Sequence, residues 1–367
     1  MIMDREPINI NLGERSYPVY VAPGLLSQAG GIISNLLPQA KKCVIVTSRI
    51  ICDLHCENLL SSLKESGIKA GITLVPDGEE AKTWSSAESL IGDMLEIGLD
   101  RKSTVIAFGG GTVGDLSGFV ASIYMRGISL IQIPTTLLAQ VDSSLGGKAA
   151  VNHPSGKNLI GSFHQPNLVL SDSEILSTLP EREMLNGLSE VVKHGVIADS
   201  TLFKYVEDNS EKILKAEPHT LCEIVLRNVS IKGKFVEKDE RDLTGIRAVL
   251  NYGHTTGHAL EKLTSMDLKH GEAVALGMCI ASNISVKQRL MKPEDAKHQR
   301  SLMENLGFDL TPPRVDPEDV VKTMWLDKKT EADTLRFILP TGIGSTPKFI
   351  PVSEATILDA LKVEGYG

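Results

Sequence analysis

The chain has 367 residues, enough for about two domains of ~150 residues or one large α/β unit with its own core. Its 42% apolar, 23% charged and 4% aromatic residues make up the composition of an ordinary globular protein. With 46 acidic against 38 basic side chains the net charge is −8, which argues against a general polyanion-binding surface and so against nucleic acid as the main partner.

The opening MIMDREPININ has no basic stretch followed by an apolar run, so no secretory signal is expected. KCVIVTS (42–48), GITLVPD (71–77), STVIAFG (103–109), SLIQIPT (129–135) and NLVLSD (167–172) read as strands. Between them, residues near 50–66, 83–97 and 113–125 carry apolar positions at helical spacing. This alternation predicts a parallel sheet with crossover helices, and the near-continuous apolar strands suit burial on both faces. From about Leu179 the pattern turns helical, through EREMLNGLSEVVKHGVI, LCEIVLRNVSIKGKFVEK, HTTGHALEKL and GEAVALGMCIASNISVKQRL; only RFILP reads as a strand. The expected organisation is an α/β, parallel-sheet nucleotide-binding domain at 1–178 and a mainly α-helical metal- and substrate-binding domain at 179–367.

SLIQIPTTLLAQV is too short to span a bilayer and is interrupted by Pro134, so no membrane association is expected. Cys43, Cys52, Cys56, Cys222 and Cys279 form an odd, scattered set that fits free thiols in a reducing cytoplasm. Cys52, His55 and Cys56 have metal-ligand spacing, but no second pair is near in sequence, and buried thiols on a helix are the favoured reading.

STVIAFGGGTVGDLSGF sets Gly109, Gly111 and Gly114 in a G-x-G-x-x-G frame between a strand and a helix. Absent side chains let backbone approach a pyrophosphate, and the helix offers its first N–H groups. The Rossmann pattern expects an acidic residue about 20 positions on, and SLIQIPTT holds none. The ribose partner is therefore sought elsewhere, in Asp77, Gly78, Glu79, Glu80, Ala81 and Lys82 at the end of another strand.

Three segments of the helical half offer metal ligands: Glu190 with His194, His254 with His258, and His270 with Glu272. Residues four apart share a helix face, and a catalytic zinc wants three His or carboxylate ligands with one open position. Four of the nine histidines lie in these glycine-flanked segments, which favours a metal. The spacing leaves open which three of the six bind. VDSSLGGKAAVNHPSGKN carries Lys148, Lys157 and Asn158 in a Gly/Ser/Pro-rich stretch that reads as a functional loop. With Arg126 upstream and Lys193, Lys232, Arg247, Lys328 and Lys329 downstream, it suits a phosphate ester.

PDGEEAK, GGGTVGDLSGFVAS, IPTTLLAQVDSSLGGKAAVNHPSGKN, IGSFHQP, LSEVVKHGVI, GIRAVLNYGHTTGHALE and HGEAVALGM together resemble the 3-dehydroquinate synthase family of sugar-phosphate cyclases, in order and over nearly the whole chain. The resemblance implies an enzyme, a phosphate-eliminating carbon–oxygen lyase that converts 3-deoxy-D-arabino-heptulosonate 7-phosphate to 3-dehydroquinate and phosphate in the shikimate pathway. It implies NAD+, a divalent metal (normally Zn2+, with Co2+ as the alternative) and a homodimer.

By the resemblance, Glu190, His254 and His270 hold the metal. The NAD+ site uses Asp77, Gly78, Glu79, Glu80, Ala81, Lys82, Gly111, Thr112, Val113, Gly114, Asp115, Thr135, Thr136, Asp142, Lys148, Lys157, Ile175, Leu176, Ser177 and Thr178. The catalytic set is Arg126 (donated across the dimer), Asp142, Lys148, Asn158, Lys193, Lys232, Arg247, Asn251, His258 and the pair Lys328 and Lys329. One departure is DERDLTGIR, one residue longer than the family's acidic stretch, so the resemblance assigns Asp242 no role.

Phosphate elimination needs an acidic proton on the adjacent carbon, which a ketone provides and an alcohol does not. Transient oxidation by NAD+ supplies that ketone, and the substrate phosphate is expected to take the proton itself. Arg247, with Asn251 and Lys328–Lys329, distinguishes a keto-acid substrate from the carboxylate-free sugars of sibling cyclases. A sibling cyclase and a metal-dependent polyol dehydrogenase are the competing readings.

Overall fold

The computed structural model describes residues 6–265, 267–327 and 334–367. It contains two compact units, one of residues up to Leu179 with Ala216–Arg241, the other of Pro180–Lys215 with Asp242–Gly367.

The first unit contains β1 (Ile8–Ile10), β2 (Tyr17–Ala22), α1 (Ala29–Leu36), β3 (Lys42–Ser48), α2 (Arg49–Glu65), β4 (Lys69–Val75), α3 (Trp84–Ile97), β5 (Thr104–Gly109), α4 (Gly111–Ile123), β6 (Ser129–Pro134), β7 (Lys148–His153), β8 (Gly156–Phe163) and β9 (Leu168–Asp172). Seven strands form one sheet in the order β1-β2-β9-β6-β5-β3-β4, parallel except for the edge pair β1–β2. Every residue of β5 and β9 is buried. Alternation along the strands sends Ile45, Ile106, Ile131 and Leu170 into one core with Ile33, Leu59 and Leu63, and Val44, Val46, Val105 and Leu130 into another with Leu90, Met94, Leu116 and Val120. The sheet is thus covered on both faces, as the near-continuous apolar strands require.

Residues 148–158 of the stretch expected as a loop lie instead in an antiparallel hairpin of β7 and β8 that runs on to Phe163. Gly, Ser and Pro at its turn conceal the short alternating runs on either side of it.

The remaining elements are α5 (Glu181–Ala198), α6 (Ser200–Asp208), α7 (Ser210–Leu214), α8 (Pro218–Lys238), α9 (His254–Leu263), α10 (His270–Lys287), α11 (Pro293–Asn305), α12 (Pro317–Asp327), β10 (Leu335–Leu339), β11 (Lys348–Val352) and α13 (Glu354–Val363). Of these, α8 belongs to the first unit, where it packs on β1, β2 and the turn at Ala139–Ser143. Pro218 at its first turn and the Glu217 carboxylate, accepting from the His219 and Thr220 N–H groups, fix its start.

In the second unit α9 and α10 approach so closely that a Cβ on Gly277 would lie 2.0 Å from the Gly253 carbonyl oxygen, and one on Gly257 3.1 Å from that of Ala273. Gly253 itself has φ 82°, the left-handed turn that starts α9 at His254. The glycines flanking the histidines are therefore what let the two helices meet. RFILP is strand β10, and it pairs with β11, which the sequence reading lacks.

Candidate active site

In the first unit the glycine frame spans the end of β5 and the start of α4. Gly110 is extended and no side chain caps the helix. A Cβ on Gly109 would lie 2.7 Å from Val113, on Gly111 2.8 Å from Ser143 Oγ, and on Gly114 2.9 Å from Gln132 Oε1. At Gly109 a side chain would meet the branched Cβ of Val113, and at Gly111 and Gly114 it would have to displace the ends of the Ser143 and Gln132 side chains. Thr112 continues the first turn, and Thr135 follows β6, its N–H donating to the Gly109 carbonyl at 3.0 Å. Thr136 Oγ1 accepts from the Ala139 N–H at 3.1 Å.

The segment after β4 forms a tight turn at Gly78–Ala81, with Gly78 at φ 70° and open space where a Cβ would stand. Glu79 and Glu80 are exposed while Lys82 is buried. Lys82 Nζ donates to Asp115 Oδ2 at 2.6 Å and to Asn158 Oδ1. Burial pushes the Asp115 carboxyl above its ordinary value, against the pull of the Lys82 ammonium. Asp142 sits in one turn of π-helix at Ala139–Ser143, where the Lys232 ammonium, from α8, pairs with its carboxylate and donates to its carbonyl. Lys148 opens β7, and Lys157 and Asn158 lie exposed in the hairpin. Ile175–Thr178 form a short turn with Ile175 and Leu176 buried, Ser177 Oγ donating to Glu174, and Thr178 Oγ1 2.9 Å from His55 Nε2. His55 thus has a partner other than Cys52 or Cys56, and Cys56 is a buried thiol. Arg126, at φ 70°, is exposed in the turn after α4.

The extended Gly110, the uncapped first turn of α4 and the open space at Gly78 fit a dinucleotide phosphate.

In the second unit Glu190, Lys193 and His194 share the buried face of α5. Ligand atoms of Glu190, His254 and His270 all lie within 4.8 Å of one another. Glu190 Oε1 is 3.7 Å from Nε2 of both His254 and His270, and Lys193 forms an ion pair with the same carboxylate. Although burial alone would raise it, the Lys193 ammonium and the two histidines hold the Glu190 carboxyl well below the usual range. Burial, then Lys193, keeps His254 neutral, and its Nδ1 lies 3.2 Å from the Tyr252 carbonyl. A carboxylate and two imidazoles converging in this way, from inside a core where a lone carboxylate would be unstable, fit a divalent cation with an open position.

Of the six candidate ligands, Glu272 is engaged elsewhere: its carboxylate caps α10 through the Lys269 N–H and receives Arg182 at 2.7 and 2.8 Å. His258 is half-buried, its ring 5.4 Å from that of His254, and His194 is buried on α5. Arg247 is buried in the turn Ile246–Asn251, which ends on the exposed Asn251. Lys328 and Lys329 lie outside the described residues. Asp242 has φ 53° and is exposed, while its neighbour Glu240 receives Arg15 at 2.8 and 2.7 Å.

Two supporting residues are absent from the sequence reading. Asn186 Oδ1 accepts from the Gly271 N–H at 2.6 Å, anchoring the turn that carries His270. Glu261 Oε1 lies 3.6 Å from His270 Nδ1. The spacing His258–Glu261 on one helix face could have suggested the latter.

Family models described as 3-dehydroquinate synthase N-terminal and 3-dehydroquinate synthase C-terminal match residues 72–186 and 187–330. The chain belongs to the 3-dehydroquinate synthase family. Within it, a 3-dehydroquinate synthase from Desulforamulus reducens is 45% identical over 356 residues, 96% of this chain and 99% of that one. Among solved structures, 2-deoxy-scyllo-inosose synthase complexed with carbaglucose-6-phosphate, NAD+ and Co2+ superposes with a TM-score of 0.89 at 28% identity, covering 97% of this chain and 99% of that one. The 2-epi-5-epi-valiolone synthase of Streptomyces hygroscopicus, with NAD+ and Zn2+ bound, gives 0.87 at 26%, covering 96% and 98%. The dehydroquinate synthase-like fold expected from the sequence is the fold shared with these two synthases.

Proposed function

We propose that the protein is a 3-dehydroquinate synthase, a carbon–oxygen lyase that converts 3-deoxy-D-arabino-heptulosonate 7-phosphate to 3-dehydroquinate and phosphate. The observation that carries the reading is the buried convergence of Glu190, His254 and His270, with Lys193 against the carboxylate. In this reading those three residues hold Zn2+ or Co2+. Residues 77–82, 111–115, 135–136, 142, 148, 157 and Ile175–Thr178 hold NAD+. Bound NAD+ would supply a reversible oxidation that acidifies the carbon next to the phosphate ester, and the cation would supply a Lewis acid.

The chain's own residues bind and orient. Arg247 offers a planar fork of donors to the substrate carboxylate, with Asn251 at the end of the same turn. Lys193 keeps Glu190 ionised and presents a donor to substrate oxygens. Lys148, Asn158 and a partner protomer's arginine at position 126 grip the phosphate, whose own oxygen takes the neighbouring proton. His258 is placed beside the metal ligands to hold a proton during ring opening and closure. Lys232 fixes Asp142.

The enzyme is a homodimer in this reading, which the turn after α4 supports: Met125 and Arg126 are held at φ 49° and 70°, and Ile123, Met125 and Arg126 are exposed. All five cysteines are unbridged, which supports a cytoplasmic location. Among the described residues no helix is long and apolar enough to cross a membrane.

Phosphate release from three substrates tests the assignment: the heptulosonate 7-phosphate, a heptulose 7-phosphate without the carboxylate, and glucose 6-phosphate, each with NAD+ and Zn2+. Turnover of the keto acid alone is expected. Turnover of a carboxylate-free sugar alone would move the protein to a sibling cyclase.

A further inference from the structure

The β7–β8 hairpin departs from regular pairing between Val151 and His153, and Asn152 sits in that irregularity. Such bulges re-aim a side chain that a regular strand would point elsewhere. Here three polar groups of Asn152, its N–H and both ends of its amide, reach three partners. Nδ2 donates to Glu79 Oε1 at 2.6 Å, Oδ1 accepts from the Asn158 N–H at 2.9 Å, and the Asn152 N–H donates to the Lys82 carbonyl at 2.8 Å. Lys82 in turn donates to Asp115 at 2.6 Å and to the Asn158 side chain. The turn after β4 and the tip of the hairpin are therefore joined through Asn152, and Lys82 carries the tie on to Asp115 of α4. Asn158, at φ 58°, holds a left-handed conformation that non-glycine residues seldom adopt, and its neighbours hold it there through both its N–H and its amide.

We infer that Asn152 is a positioning residue for the dinucleotide: it sets Glu79 and Lys82 in one frame with Asn158, so that the nucleotide segment and the phosphate-gripping hairpin are organised together before ligand arrives. The inference rests on the reading that these segments bind NAD+ and phosphate ester. A tie that served only the fold would change stability and leave affinity alone; a positioning tie changes affinity with the fold intact.

A donor-acceptor swap tests it. Asn152→Asp keeps the acceptor for the Asn158 N–H but sets a second carboxylate against Glu79. Glu79→Gln then restores a donor across the same gap. NAD+ affinity is measured by titrating the zinc-loaded protein, with the thermal midpoint of each variant recorded. N152D is expected to bind NAD+ about tenfold more weakly, the loss of one charge-assisted hydrogen bond, at a near-wild-type midpoint. E79Q/N152D is expected to return to within about twofold of E79Q, the coupling a double-mutant cycle isolates. Wild-type affinity in N152D, or a double variant about tenfold weaker than E79Q, overturns the inference. Should N152D be too unstable to titrate, E79Q/N152D against E79Q decides: equal affinity supports the tie and a tenfold deficit overturns it. Wild-type protein that binds no NAD+ overturns the functional reading as well, which separates the two failures.

Discussion

His270 stands between two carboxylates: its Nε2 is 3.7 Å from Glu190 Oε1 and its Nδ1 is 3.6 Å from Glu261 Oε1. Glu261 is buried on α9 and occupies the place of an outer carboxylate that orients a metal-binding imidazole. In the proposed metal site it would fix which His270 nitrogen faces the cation and raise that ring's basicity. Glu261→Gln, which keeps the shape and removes the charge, is expected to weaken Zn2+ binding by roughly 10- to 100-fold. Competition against a chelator of known affinity measures this directly, and an unchanged dissociation constant would remove Glu261 from the account.

The close crossing of α9 and α10 makes a second prediction. In Gly277→Ala the added methyl would lie 2.0 Å from the Gly253 carbonyl oxygen, an atom of the main chain that no rotamer change can move aside. The helices must separate, at a cost of about 3 kcal/mol. Denaturant unfolding should show that loss. Because the same crossing brings His254 and His270 together, chelator competition should show weaker metal binding even where the variant is folded. A variant as stable as wild type would mean that the helices slide apart without consequence.

Arg247→Ala should lower kcat/KM for the keto-acid phosphate roughly 100-fold, the loss of a charge-assisted fork on a carboxylate. NAD+ and Zn2+ should still bind with wild-type affinity, since neither is assigned to Arg247. Steady-state kinetics beside two binding titrations check this, and unchanged kinetics would remove the argument for a carboxylate-bearing substrate.

The strands of the main sheet were legible because both faces of β3, β5, β6 and β9 are covered, so their sequences are mostly apolar. β1 was not, being three residues long, and Pro18 and Pro351 disguise β2 and β11, since a proline argues against a strand. The periodicity of Pro218–Lys238 says that one face is buried. It does not say against what, and the helix's return to the first unit rests on contacts far away in sequence.

The metal segments were legible from clustered histidines, but the four-residue spacing paired Glu190 with His194 and His254 with His258 equally. Which member of each pair converges depends on how α5, α9 and α10 cross. The crossing of α9 and α10 is set by glycines whose role is invisible until the helices are placed. Asn152 was hidden for a related reason: its place depends on a bulge, and nothing in VNHPSGKN marks one.

The central claim is that NAD+ is consumed and regenerated within one turnover on a heptulosonate phosphate. Its most direct measurement follows phosphate, cyclic product and reduced nicotinamide together in a single reaction of the protein with NAD+, Zn2+ and substrate. The account predicts phosphate and 3-dehydroquinate in equal amounts over many turnovers, with no net accumulation of NADH. NADH accumulating one-for-one with product, or full activity after both dinucleotide and metal are stripped, would contradict it.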